Sequence, residues 1–173
     1  MSHHVGLIDT YSTELARSVA GETFSFYTFQ GLSRGAHRLH ITSHRFDEPL
    51  ALEAVADTEV VVAIHGEGTT EAAFVMVGGR EVALGDSLSA ALEEEGFRVV
   101  PPRGGLRGQN PRNICNRGSG GGGVQLELSQ GLRDRFQEDR DAEGRFVEAI
   151  RRVLLRWEGK GKVTSIARDG AHE

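Results

Sequence analysis

Residues 59–64, Glu-Val-Val-Val-Ala-Ile, form an almost uninterrupted apolar run that ends on His65 and Gly66. The run is rich in β-branched residues, so it reads as a strand. A strand without polar alternation must be covered on both faces, which places it in the middle of a sheet rather than at a solvated edge. The chain around it must therefore supply further strands beside this one and helices to cover it.

The flanking sequence supplies both. Residues 10–21 read as a helix, with Leu15, Ala16, Val19 and Ala20 at helical spacing and Gly21 able to close it in a left-handed cap. Residues 24–29 are aromatic and extended, a strand candidate, and residues 38–42 form a shorter one. Glu48-Pro49 opens a second helix that runs to about residue 57, with proline at the first helical position. Residues 73–77 are a strand ended by Gly78-Gly79, and Asp86 caps a helix that Gly96 stops. Residues 97–100 are a short strand closed by Pro101-Pro102, and residues 124–128 are the last strand. Residues 140–157 form a long amphipathic helix with Phe146, Ile150, Val153 and Leu154 on one face. The alternation of strands and helices predicts a single α/β domain over residues 1–158, a mixed β-sheet with helices on both faces, followed by a polar, flexible tail over residues 159–173.

Bulk properties narrow the function. The 173 residues are 38% hydrophobic and 26% charged, with a net charge of −5. An acidic balance argues against a nucleic-acid or anionic-membrane partner. No apolar run approaches the roughly 20 residues that span a bilayer. The start shows no basic region followed by an apolar one, so a cytoplasmic protein is expected. Cys115 is the single cysteine, which excludes an intramolecular disulfide and fits a reducing compartment.

Reactive residues gather where an open α/β sheet binds its ligands, beyond the carboxyl ends of the strands. His65 leaves the apolar strand directly and is placed either to ligate a metal or to bond the backbone at a strand end. Glu127 lies in Val-Gln-Leu-Glu-Leu-Ser, where Val124, Leu126 and Leu128 share one face and Gln125 and Glu127 the other. It is a general base facing a metal site, or part of the polar face of an edge strand. His3, His4 and Asp9 stand just before the first helix, in a segment that by itself reads as a disordered end or a tag remnant. The stretch Gly-Ser-Gly-Gly-Gly-Gly at 118–123 precedes a strand rather than a helix, the wrong order for a phosphate loop. Between Gly96 and Leu126 there is no Asp or Glu but five arginines, Arg98, Arg103, Arg107, Arg112 and Arg117. In an acidic chain that segment is an anion-binding surface, in which Asn113, Asn116 and Arg117 could hold a carboxylate.

The segments TELARSVAG, SFYTFQG, LHITSHRFDEP, VVVAIHG, VMVGG, NPRNICNRG and GVQLELSQGLR together resemble the poly-γ-glutamate hydrolase family of phages and bacteria, over most of residues 4–133. The resemblance implies a compact relative of the zinc carboxypeptidases. In that family an N-terminal strand leads into a His-Gly-Gly-x-Ile-Glu segment whose His and Glu bind Zn2+, and a second His follows a later strand. Carried over, these are His4, Asp9 in the Glu position, and His65, with Ile8 matching the Ile. Glu127 takes the place of the catalytic glutamate, and Asn116 and Arg117 that of a carboxylate clamp. His40 and His44 stand in a typical motif of the family, and His40 is taken with the substrate-binding group. The strand before the first His has no counterpart here, and Asp9 is one methylene shorter than Glu, so the backbone must come closer to the metal.

The expectation is therefore a zinc hydrolase of γ-glutamyl amide bonds acting on a polyanionic glutamyl polymer, with oligomeric state open. A peptidoglycan or γ-glutamyl peptide amidase would use the same residues. A non-catalytic anion-binding descendant would lack the metal.

Overall fold

Among the described residues five strands, β1 (Val60–Glu67), β2 (Val75–Gly79), β3 (Val99–Val100), β4 (Val124–Ser129) and β5 (Val163–Ser165), bond in the order β3-β2-β4-β1-β5. The structure is a computed structural model and describes residues 11–29, 43–158 and 163–165. β4 and β5 flank β1, both parallel to it; β2 runs antiparallel to β4 and parallel to β3. The sheet is mixed, as expected, and the apolar run of β1 does lie inside it.

Helices α1 (Ser12–Ala20), α3 (Val82–Glu94) and α5 (Arg140–Glu158) enclose the main core with one face of the sheet. Val60 and Val62 of β1, Val75 of β2 and Val124, Leu126 and Leu128 of β4 point into that core. Phe97, Phe136 and Phe146 form its aromatic centre, with ring centroids 5.0 to 6.0 Å apart. Val61, on the opposite face of β1, instead joins Cys115 and Val55 of α2 (Pro49–Ala56) in a second, smaller cluster. Helices thus cover both faces, and the thinner cover lies where the site is built.

Several elements differ from the expectation. Residues 24–29 pair with no strand among the described residues; Phe24 and Tyr27 are instead buried anchors of an extended segment. Aromatic composition marks burial, and a strand additionally needs a neighbour to bond. α3 begins at Val82 rather than at Asp86, so Gly85 lies inside it, against Val77. Helix α4 (Gln130–Glu138) has no counterpart in the sequence reading. Its start is capped by Ser129, whose side chain accepts from Leu132 N at 3.2 Å. Gly131 permits it, since a Cβ there would stand 2.8 Å from Thr70 O. The segment expected to be a flexible tail supplies β5, which pairs with Val60, Val61 and Val62. The proposed strand at 38–42 lies outside the described residues. No helix among the described residues is long and apolar enough to cross a membrane.

Candidate active site

Alternation along β4 sets the site. Val124, Leu126 and Leu128 are fully buried in the main core, which turns Gln125 and Glu127 to the other face. The edge-strand reading of these polar residues does not hold: β4 is the central strand, and Glu127 is only 5% exposed. A carboxylate in such a place is costly unless hydrogen bonds offset its desolvation. One comes from Gln125, whose Nε2 donates to Glu127 Oε1 at 2.7 Å.

His65 is the residue opposite Glu127 in the parallel ladder of β1 and β4. Register partners in adjacent strands point to the same face and lie about 4.8 Å apart. The two residues singled out in separate strands, 62 positions apart in the sequence, are therefore neighbours near the carboxyl ends of those strands. His65 Nε2 is also 3.4 Å from Ser43 Oγ.

The arginine-rich loop lies over this polar face. It holds two short 3-10 turns, Gly104–Arg107 and Ile114–Asn116. Leu106 O accepts from Gln125 Nε2 at 3.1 Å, which pins the first turn over β4. Ile114 N donates to Ser43 O at 3.1 Å, and Arg117 Nη1 to Phe46 O at 3.1 Å, so residues 43–46 are stitched between His65 and the second turn.

The loop asparagines depart from their expected role as carboxylate donors. Asn116 Nδ2 donates to Gly108 O at 2.6 Å and to Asn110 O at 2.9 Å, which uses both of its N–H groups inside the loop. Asn113 Nδ2 donates to Gln125 Oε1 at 2.7 Å. Both are buried, and both build the loop. Arg117 differs: it is half-buried, its Nε and Nη1 rest on carbonyls, and no carboxylate among the described residues pairs with it. Arg103 is exposed and paired with Glu67 at 3.3 Å, while Arg98, Arg107 and Arg112 are exposed.

The glycine run has a packing cause. A Cβ on Gly123 would fall 2.0 Å from Cys115 O, and one on Gly118 2.5 Å from Thr58 O. Ser119 N and Gly120 N donate to Thr58 O and Glu59 O, so the run bonds the start of β1 and is no phosphate cradle. Burial pushes the Cys115 thiol up to about 12, with an opposing backbone hydrogen bond and a smaller upward push from the Glu127 charge.

Three residues escaped the sequence reading as parts of the site. Gln125 was visible as the polar partner of Glu127 on the same face of the strand. Ser43 carried no signal beyond its motif. Arg133 is fully buried; its Nε reaches Leu128 O at 3.3 Å and its Nη2 Glu67 O at 3.0 Å, at the carboxyl ends of both site strands. Glu48 is occupied elsewhere: its carboxylate caps α2 through Leu50 N and Ala51 N and accepts from Tyr27 Oη. A depression of about 170 Å³ between β2, α3 and Arg107 includes neither His65 nor Glu127.

His4, Asp9 and His40 lie outside the described residues. Among the described residues no group of three or more His, Cys, Asp or Glu side chains could hold a metal ion. His65 and Glu127 thus form the described part of the expected constellation.

Known proteins resemble this chain in sequence and fold. The protein YmaC of Bacillus subtilis (strain 168) is 39% identical over 142 residues, covering 80% of this chain and 60% of YmaC. The chain spans about half the length of the curated relatives it matches, between 47% and 60%. A bacteriophage poly-gamma-glutamate hydrolase superposes with a TM-score of 0.77 at 29% identity, over 91% of this chain and 82% of its own. A zinc-free form of YndL superposes with a TM-score of 0.79 at 31% identity, over 89% of this chain and 82% of its own. With residues 1–153 matching its pattern, the chain belongs to the poly-gamma-glutamate hydrolase family.

Proposed function

We propose that this protein is a zinc-dependent hydrolase of γ-glutamyl amide bonds in poly-γ-glutamate, with Glu127 as its general base. The observation that carries the reading is the placement of His65 opposite Glu127 on the two central parallel strands. Membership of the family supports it, as does the likeness to a phage poly-gamma-glutamate hydrolase and to a protein with a zinc-free form.

The donor chemistry suits zinc: an imidazole stands beside a buried carboxylate whose Oε1 accepts from the Gln125 amide. His4, Asp9 and His65 would hold the ion. When bound, zinc supplies a Lewis acid for the scissile carbonyl and makes water more acidic. Glu127 accepts the proton of the attacking water and delivers it to the leaving amine. Every unit of a γ-linked glutamate chain keeps a free α-carboxylate, so the substrate is a polyanion. Arg117, with His40, binds one such carboxylate, and the exposed arginines of the loop draw the chain toward the sheet.

Zinc analysis and hydrolysis of poly-γ-glutamate, measured on the same preparations, test this. The wild-type protein carries about one zinc and shortens the polymer. His65→Ala loses both properties, because a site deprived of one of three protein ligands cannot hold zinc tightly. Full zinc content in His65→Ala would refute the ligand assignment, and a zinc-loaded wild type that leaves the polymer intact would refute the substrate.

A further inference from the structure

We infer that Gln125 is a positioning residue for Glu127: a one-way hydrogen-bond relay running from the Cys115 backbone N–H through Asn113 and Gln125 sets the orientation of the Glu127 carboxylate. The inference rests on the reading of Glu127 as the base. Its geometry does not depend on that reading.

The direction of the relay follows from its two ends. A backbone N–H can only donate, and Cys115 N donates to Asn113 Oδ1 at 3.2 Å. That makes the other end of the Asn113 side chain its NH2 group, which donates to Gln125 Oε1 at 2.7 Å. The Gln125 amide is thereby turned so that its NH2 group faces Glu127 Oε1, at 2.7 Å, and Leu106 O, at 3.1 Å. A carbonyl and a carboxylate can only accept, so the far end demands the same polarity as the near end. Neither amide can flip without placing acceptor against acceptor. Asn113, Gln125 and Glu127 are at most 5% exposed, so water is poorly placed to substitute for any of these bonds.

Two consequences follow for catalysis. Gln125 holds one carboxylate oxygen, so the side chain of Glu127 cannot swing away from the face it shares with His65. Leu106 and Asn113 also belong to the arginine-rich loop, so Gln125 fixes the base relative to the surface that receives the substrate. A shift of about 1 Å in a reacting group can cost roughly 100-fold in rate.

The test breaks the relay while keeping its shape. In Asn113→Asp the side chain still accepts from Cys115 N–H but has no N–H for Gln125. Gln125 Oε1 then faces a carboxylate oxygen, so either orientation of the Gln125 amide sets acceptor against acceptor, at residue 113 or at Glu127 and Leu106 O, and its hold on Glu127 is disturbed. We expect kcat on poly-γ-glutamate to fall about 10- to 100-fold, with zinc content unchanged and KM within about twofold. Gln125→Leu, which packs in a strand but cannot donate, should show the same split. Gln125→Leu adds no charge, so it separates loss of the relay from the carboxylate that Asn113→Asp buries, and kcat within about twofold of wild type in Gln125→Leu would overturn the relay. An NMR measurement decides without reference to activity. In Glu127→Gln, one Gln125 Nε2 proton should move upfield as its charged acceptor is lost, while the proton facing Leu106 O stays. If neither moves, the relay is absent. A wild type that cleaves no poly-γ-glutamate would overturn the functional reading instead, and the NMR result would still judge the relay.

Discussion

Replacing Glu127 by Gln separates chemistry from architecture, because the structure makes the two effects differ in size. The side chain is 5% exposed on the central strand and accepts from Gln125 Nε2 at 2.7 Å. Gln has almost the same shape and can still accept that bond. What is lost on folding is the difference between a hydrogen bond to a charged group, about 1.5–3 kcal/mol, and one between neutral groups, about 0.5–1.5 kcal/mol. The loss is about 1 kcal/mol, and relief from burying a charge opposes it. A change of that size moves the melting temperature of a chain this long by about 2–4 °C. The catalytic effect is larger. Loss of a general base removes about 10²–10⁴-fold in rate, or about 2.7–5.4 kcal/mol of transition-state stabilisation. Calorimetry, zinc analysis and polymer hydrolysis on one Glu127→Gln preparation should therefore give a small thermal shift, full metal content and near-complete loss of kcat. Loss of zinc would make Glu127 a ligand. Retained hydrolysis would remove it from the reaction.

Other outcomes are equally specific. Arg117→Ala should raise KM for poly-γ-glutamate about 10- to 100-fold, from a lost charge-assisted contact worth about 1.5–3 kcal/mol, and leave zinc bound; an unchanged kcat/KM in steady-state kinetics would remove Arg117 from the site. Gly123→Ala places a Cβ 2.0 Å from Cys115 O, so a destabilisation of about 3 kcal/mol is expected in urea unfolding, and a wild-type midpoint would contradict the packing. The Cys115 thiol is pushed from 9.0 to about 12 in the fold, so the native state holds its proton where the unfolded state gives it up. That contribution to stability is complete below pH 9.0 and is lost as pH rises toward about 12, which Cys115→Ala should flatten in pH-dependent unfolding curves.

Parts of the site were legible because they obey short-range rules. A polar pair at 125 and 127, two residues apart in an apolar strand, had to share a face whatever the rest of the chain did. The arginine-rich segment carries no strand or helix periodicity, and it folds as a loop with two short 3-10 turns, the first pinned over the polar face of β4. The roles of Asn113 and Asn116 were not legible. An asparagine beside an arginine reads as a ligand-binding donor until its partners are seen, and here those partners are Gln125, Gly108 and Asn110. Arg133 is hidden for the same reason: its burial depends on carbonyls of two strands far from it in sequence.

The sequence by itself determined that this chain is an α/β protein and that its apolar strand lies inside a sheet, and it singled out His65 and Glu127 as candidates. Periodicity, glycine placement and motif resemblance are local properties, and they survive without coordinates. Only the tertiary structure decided that β4 lies between β1 and β2, that residues 163–165 complete the sheet, and that His65 and Glu127 meet in register. Strand order and register come from long-range pairing and from which faces find a core to cover them, and no window of sequence contains both partners of such a pair.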